Sequence, residues 1–192
     1  MDLEKYCCKD PERKFLSRPF TQHGITWATN GAFSVGIPSC GAPDTKDRPV
    51  DIDLVRNAAG EPGEWFGIPQ GIEYRACPKC KGIALNFECY ECHGHGHVTL
   101  ENEFTRYSGI ECGSCEGEGK VPICIPCGGT GIDNSEEVFI GGVMFLANAL
   151  HTLKDLPNLE ISPTGKQTPA HLRFDGGGVG FLMPGKEDGE AH

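Results

Sequence analysis

Four Cys-x-x-Cys pairs carry the most legible chemistry of this chain: Cys77 with Cys80, Cys89 with Cys92, Cys112 with Cys115, and Cys124 with Cys127. A two-residue spacer lets a tight turn present both sulfurs to one ion, and two such turns complete the tetrahedral thiolate set that Zn²⁺ prefers. Eight ligands therefore make two sites. Glycines follow the pairs: Gly82, then Gly94 and Gly96, Gly117 and Gly119, Gly129 and Gly131. The chain must bend sharply around a metal, and positive φ there is obstructed by a Cβ. The first repeat, Lys81-Gly82-Ile83-Ala84, lacks the second glycine.

The steps from one pair to the next are 9, 20 and 9 residues, a palindrome that suits a folded-back ribbon. Nesting places Cys89, Cys92, Cys112 and Cys115 on an inner ion, and Cys77, Cys80, Cys124 and Cys127 on an outer one. Residues 97–111, between the inner pairs, then form a hairpin arm. His93, His95 and His97 alternate nearby, but the cysteines already complete both tetrahedra, so the histidines are expected to face solvent. Cys7, Cys8 and Cys40 are left over. Adjacent cysteines do not easily share one tetrahedral ion, and all three read as free thiols. Thiol-disulfide exchange ranks last, because zinc-bound thiolates are poor nucleophiles.

These sulfurs lie in a stretch, residues 76–132, with too few large apolar side chains to build a core. Metal must take the place of hydrophobic burial there, and structural zinc supplies about 10 kcal/mol or more of folding energy. The stretch holds four Lys or Arg against seven Glu. Two four-thiolate zinc sites add further negative charge, bringing the loaded module to about −7, which repels phosphate. The whole chain of 192 residues has a formal charge of −10. Nucleic acid bound through the ribbon is therefore not expected.

On either side, ordinary globular patterning returns. "HGITWATN" and "AFSVGIP" read as two strands joined at Asn30-Gly31, a strong hairpin signal. "PVDIDLV" alternates apolar and polar residues and predicts a further strand, and residues 57–75 read as a Gly- and Pro-rich connection. After the ribbon, "EEVFI" predicts a strand and Gly141-Gly142 a turn. "VMFLANALHTLKDL" predicts a helix with Val143, Leu146, Leu150 and Leu153 on its apolar stripe and Asn148, His151, Thr152 and Asp155 opposite, ended by Pro157. "NLEIS", "AHLRF" and "VGFLMP" read as three strands, and residues 185–192 as a frayed tail. The expected fold class is α+β: one domain, residues 1–75 and 133–192, with a sheet and one main helix, interrupted by an elongated two-zinc β-ribbon at 76–132.

The start is charged where a secretory signal needs an apolar stretch, and no segment approaches eighteen apolar residues, so a cytoplasmic protein without a membrane partner is expected. A reducing compartment also favours metal over disulfides for eleven cysteines.

Two family resemblances rest on these residues. The four Cys-x-x-Cys-x-Gly repeats over residues 77–131 resemble the cysteine-rich zinc domain of DnaJ-type co-chaperones, whose sites are nested in this way. No His-Pro-Asp tripeptide occurs, so the J-domain of a full co-chaperone is missing. The flanks, roughly 15–40 and 136–185, resemble a bacterial DNA polymerase sliding-clamp domain, through "TWATNGAFSVGIP" and the closing "VGFLMP". Departures are plain: Ala32-Phe33 stands where that family has His-Arg, the first inward helix before residue 15 is at best short, and Lys154 is the only fixed positive charge on the main helix's polar face.

No Ser-His-Asp order, P-loop or dinucleotide glycine fingerprint is present, and "DGGGVG" reads as a hairpin turn. The expectation is a non-enzymatic protein acting through protein contacts. The clamp resemblance implies an accessory of DNA replication, from a phage or mobile element in a bacterial host cell, that joins or mimics a clamp and oligomerises to encircle anything. The DnaJ resemblance implies the alternative, a client-binding ribbon using Phe87, Tyr90, Phe104 and Tyr107.

Overall fold

The computed structural model of the chain describes residues 1–39, 41–46, 48–83, 85–89, 91–101 and 105–185. Cys40, Ala84, Tyr90, Phe104 and all but the first residue of the expected tail lie outside the described residues. In chain order the elements are β1 (Phe20–Gln22), β2 (Ile25–Thr29), β3 (Phe33–Pro38), α1 (Ile52–Ala59), β4 (Phe66–Gly67), β5 (Leu85–Glu88), β6 (His97–Glu101) and β7 (Arg106–Glu111). They continue with β8 (Lys120–Ile123), β9 (Glu137–Ile140), β10 (Val143–Leu146), α2 (Ala147–Leu153), β11 (Glu160–Ser162), β12 (Ala170–Phe174) and β13 (Gly178–Leu182). Short 3₁₀ turns occupy Glu4–Tyr6 and Pro11–Leu16, ahead of the first strand. The chain divides into two compact units: Met1–Arg75 together with the chain from Ile132 onward, and Ala76–Gly131.

The first unit is built on a seven-stranded sheet in the order β1-β2-β3-β13-β12-β11-β4, antiparallel throughout. Asn30 and Gly31 turn β2 into β3 as expected: the Asn30 carboxamide oxygen accepts from the Ala32 and Phe33 N–H groups, and Gly31 has φ +92°. Alternation along the strands sends side chains to opposite faces. Ala28, Val35, Leu172 and Leu182 join Leu150 and Leu153 of α2, with Phe145 of β10, in the larger core. Trp27 and Phe181 point the other way and stack at 6.2 Å beside Ile52 and Ala59 of α1.

Two expectations are corrected here. Residues 52–59, read in part as a strand and in part as a connection, form α1. Four alternating residues fit a strand or the start of a helix equally well, and the caps decide. Asp51 accepts from the Asp53 N–H, and Gly60, at φ +67°, returns its N–H to Arg56 O, while Ile52, Val55 and Ala59 recur on one face. Buried Gln22, distant in sequence, adds a tertiary cap: its Oε1 accepts from Ile52 N–H and its Nε2 donates to Asp51 and Asp53.

The predicted long helix is likewise only its middle. Val143–Leu146 extend instead as β10, paired residue by residue with β9 from Val143 with Ile140 to Leu146 with Glu137. Gly141 and Gly142, at φ +56° and +80°, supply the mirror-image turn whose twist suits a hairpin, and this commits the residues after them to a strand. The helix ends at Leu153, before Pro157. Among its described residues the unit therefore has two short α-helices rather than one main one.

Candidate metal centres

Each Cys-x-x-Cys repeat of the second unit is a tight knuckle. After the second cysteine the chain turns left-handed at two consecutive residues: Lys81 and Gly82, His93 and Gly94, Glu116 and Gly117, Gly128 and Gly129 all have φ between +49° and +88°. The turn closes on itself by backbone hydrogen bonds. Gly94, Gly117 and Gly129 donate to the carbonyls of Cys89, Cys112 and Cys124, and His95, Glu118 and Thr130 to those of Cys92, Cys115 and Cys127. Three of the four residues at the first left-handed position are not glycine, so the conformation is imposed on them at about 1 kcal/mol each.

The knuckles pair as the nested spacing predicts. Cys89, Cys92, Cys112 and Cys115 converge, and so do Cys77, Cys80, Cys124 and Cys127, with the sulfurs of each group all within 4.8 Å of one another and all eight residues buried. Across each pair the sulfurs stand 3.8 Å (Cys89 to Cys112), 3.7 Å (Cys92 to Cys115), 4.0 Å (Cys77 to Cys124) and 3.8 Å (Cys80 to Cys127) apart. Sulfurs about 2.3 Å from a tetrahedral Zn²⁺ lie about 3.8 Å from each other, whereas a disulfide brings them to about 2.05 Å. The spacing and the donor set fit a four-coordinate ion. Each group could hold one.

Backbone donors aim at the sulfurs. Gly96, Gly119 and Gly131 give their N–H groups to Cys92, Cys115 and Cys127 Sγ at 3.1, 3.3 and 3.3 Å. These bonds favour thiolate over thiol. Burial acts the other way: it pushes the Cys115 thiol up to about 12 and raises Cys80, Cys112 and Cys124 as well, with neighbouring thiols contributing. At Cys77 and Cys92 the same burial is outweighed by backbone and neighbouring-thiol hydrogen bonds, so both lie below the ordinary range. Four sulfurs crowded this way resist ionising together unless a cation joins them.

The second glycine of each inner repeat does something that the local turn does not explain. A Cβ on Gly96 would overlap the Gly117 carbonyl oxygen, and one on Gly119 would overlap that of Gly94. The inner knuckles are thus pressed together backbone to backbone, and Cys89 and Cys112 N–H each donate to the other repeat's second glycine, Gly119 O at 2.9 Å and Gly96 O at 2.8 Å. This contact between repeats was not legible from the spacing, although the recurrence of Gly-x-Gly signals it.

Two short ladders frame the centres. β5 pairs with β8 between the outer and inner groups, and β6 pairs with β7 beyond the inner one, forming the expected hairpin arm with a register shift between Val98 and Leu100. Val121 and Val98 pack on the inner cysteines. His93, His95 and His97 are exposed and belong to neither sulfur group. Cys7 and Cys8 are buried free thiols in the first unit. Burial raises the Cys7 thiol, and its Sγ faces Leu3 O at 3.8 Å. Tyr107 is exposed opposite Leu100, while Phe87 contributes its backbone to β5.

Among the described residues no helix is long and apolar enough to cross a membrane. The chain matches no family model, no curated protein and no solved structure, so the two resemblances rest on their quoted residues alone.

Proposed function

We propose that the protein binds two Zn²⁺ ions and works without chemistry of its own, through protein contacts made by the metal-pinned unit Ala76–Gly131. The observation that carries this reading is the pair of buried four-cysteine groups at tetrahedral sulfur spacing. Closed sets of four protein ligands are the mark of structural zinc, since catalytic zinc keeps a position open for water. The acidic charge of the unit directs it to protein rather than to nucleic acid. Elemental analysis of the purified chain is expected to find two zinc per polypeptide. Far fewer than two, with no uptake on adding zinc, overturns the reading.

The setting we favour is DNA replication, with the first unit joining or mimicking a sliding clamp. Its support is the strand pair at Trp27–Pro38 and the closing β13, the segments that carry the clamp resemblance. Replication proteins recovered on the immobilised chain from a bacterial lysate would favour this setting. A strictly monomeric chain in solution would remove any ring.

One observation favours a second reading, a chaperone-like client surface. Leu100 and Tyr107 face each other across the hairpin arm and are 56% and 57% exposed, an apolar pair that the described residues leave uncovered. Suppression of aggregation of unrelated denatured proteins, lost in L100S/Y107S, would favour it.

A further inference from the structure

The two sulfur groups are not equivalent. At the inner group the clasp is complete on both sides: Gly96 sits against Gly117 O and Gly119 against Gly94 O, each too close for a Cβ, and both glycines donate N–H to a ligand sulfur. At the outer group the described residues supply one such contact. Gly131 donates to Cys127 Sγ, receives Cys77 N–H at 2.8 Å, and lies opposite Gly82 O, but a Cβ there would stand 2.9 Å from that oxygen, a looser approach than at either inner contact. The residue in the fourth equivalent place, four after Cys80, is Ala84 by sequence. Gly96, Gly119 and Gly131 all have φ between +71° and +76°, a region that costs a residue with a Cβ about 1–2 kcal/mol.

We infer that the outer group, Cys77, Cys80, Cys124 and Cys127, is the exchangeable metal site and the inner group the permanent one, so that the protein passes through a state with the inner ion alone. The inference rests on the two-zinc reading above. Contacts around metal ligands typically change affinity by about 10–100-fold when altered. At the outer group the Gly131 approach to Gly82 O is looser than either inner approach, and Ala84 stands in sequence where both inner repeats have their second glycine. The outer ion also has a distinct structural place. It joins the first and last repeats, where Cys77 N–H meets Gly131 O and both strands of the unit enter and leave. Its loss would let the first and last repeats part while the inner ion keeps the two central repeats together.

The test is metal release from the full chain, reloaded with zinc, into an excess of a chromophoric chelator. Two phases of one equivalent each are expected, separated by about tenfold or more in rate. In Ala84→Gly the fast phase slows toward the slow one, and in Gly119→Ala the slow phase accelerates. Two equivalents leaving at a single rate, or a fast phase that Ala84→Gly does not change, overturns this inference and leaves the two-zinc reading intact. A reloaded chain that holds no zinc overturns both.

Discussion

Glycine at a left-handed position is tolerated for two separate reasons in this protein, and they have different consequences. Gly109, in β7, has φ +74° with nothing near the place of a Cβ, so Gly109→Ala should cost about 1 kcal/mol of the unit's stability through backbone strain alone and leave metal affinity unchanged. Gly96, at φ +76°, faces the Gly117 carbonyl and also donates to Cys92 Sγ. Gly96→Ala must push the two inner knuckles apart, and zinc affinity should fall about 10–100-fold. Competition against a chelator of known affinity separates the two variants; equal effects would show that the contact between repeats carries no weight.

The helix α1 shows how little local sequence can do for a short element. Its eight residues are too few to be stable alone, and its N-terminus is tied by Asp51, by buried Gln22 and by Asp53. The Asp53 carboxyl is held below the ordinary aspartate range, first by the hydrogen bond from His23, at 2.8 Å, and further by the charges of His23 and Arg56 and by Gln22. A depressed folded value means that ionised Asp53 stabilises the fold above the pH where an unfolded aspartate ionises, and that this contribution is lost as pH falls through the folded value. Stability measured by denaturant across the acidic range should therefore decline less steeply in Asp53→Asn than in the parent, and identical slopes would exclude Asp53 as a source of acid sensitivity.

For the molecule as a whole, the two units draw on different sources of stability. The first has two apolar clusters built from its own side chains, the second has four cysteines at the centre of each of its clusters. Arg75 O accepts from Asp133 N–H at 2.9 Å and Arg75 pairs with Glu136, so the chain is already closed within the first unit where the second departs and returns. Chelation should unfold Ala76–Gly131 and spare the rest. The only two tryptophans, Trp27 and Trp65, lie in the first unit, and fluorescence reports on it alone. Its unfolding midpoint should not change when both ions are removed; a tryptophan transition that disappears with the metal would show one cooperative molecule instead.

The sulfur groups were readable from the chain because metal ligation depends on residue type and on spacing, both of which are linear. Cys77 to Cys127 announce two tetrahedra, and the 9, 20 and 9 rhythm says which knuckles meet. The hairpin at Asn30-Gly31, whose turn carries its own signal, was equally legible, whereas Gly141-Gly142 was readable as a turn but not as one that joins two strands. The chain could not reveal whether 52–55 would be strand or helix, where α2 begins, or why the repeats have a second glycine. Those answers came from groups far apart in sequence: Gln22 capping Ile52, β9 holding Val143–Leu146 extended, and Gly117 O lying where a side chain of residue 96 would have to go. Short patterns fit more than one conformation, and the choice between them is made by whichever partner the rest of the fold brings within contact.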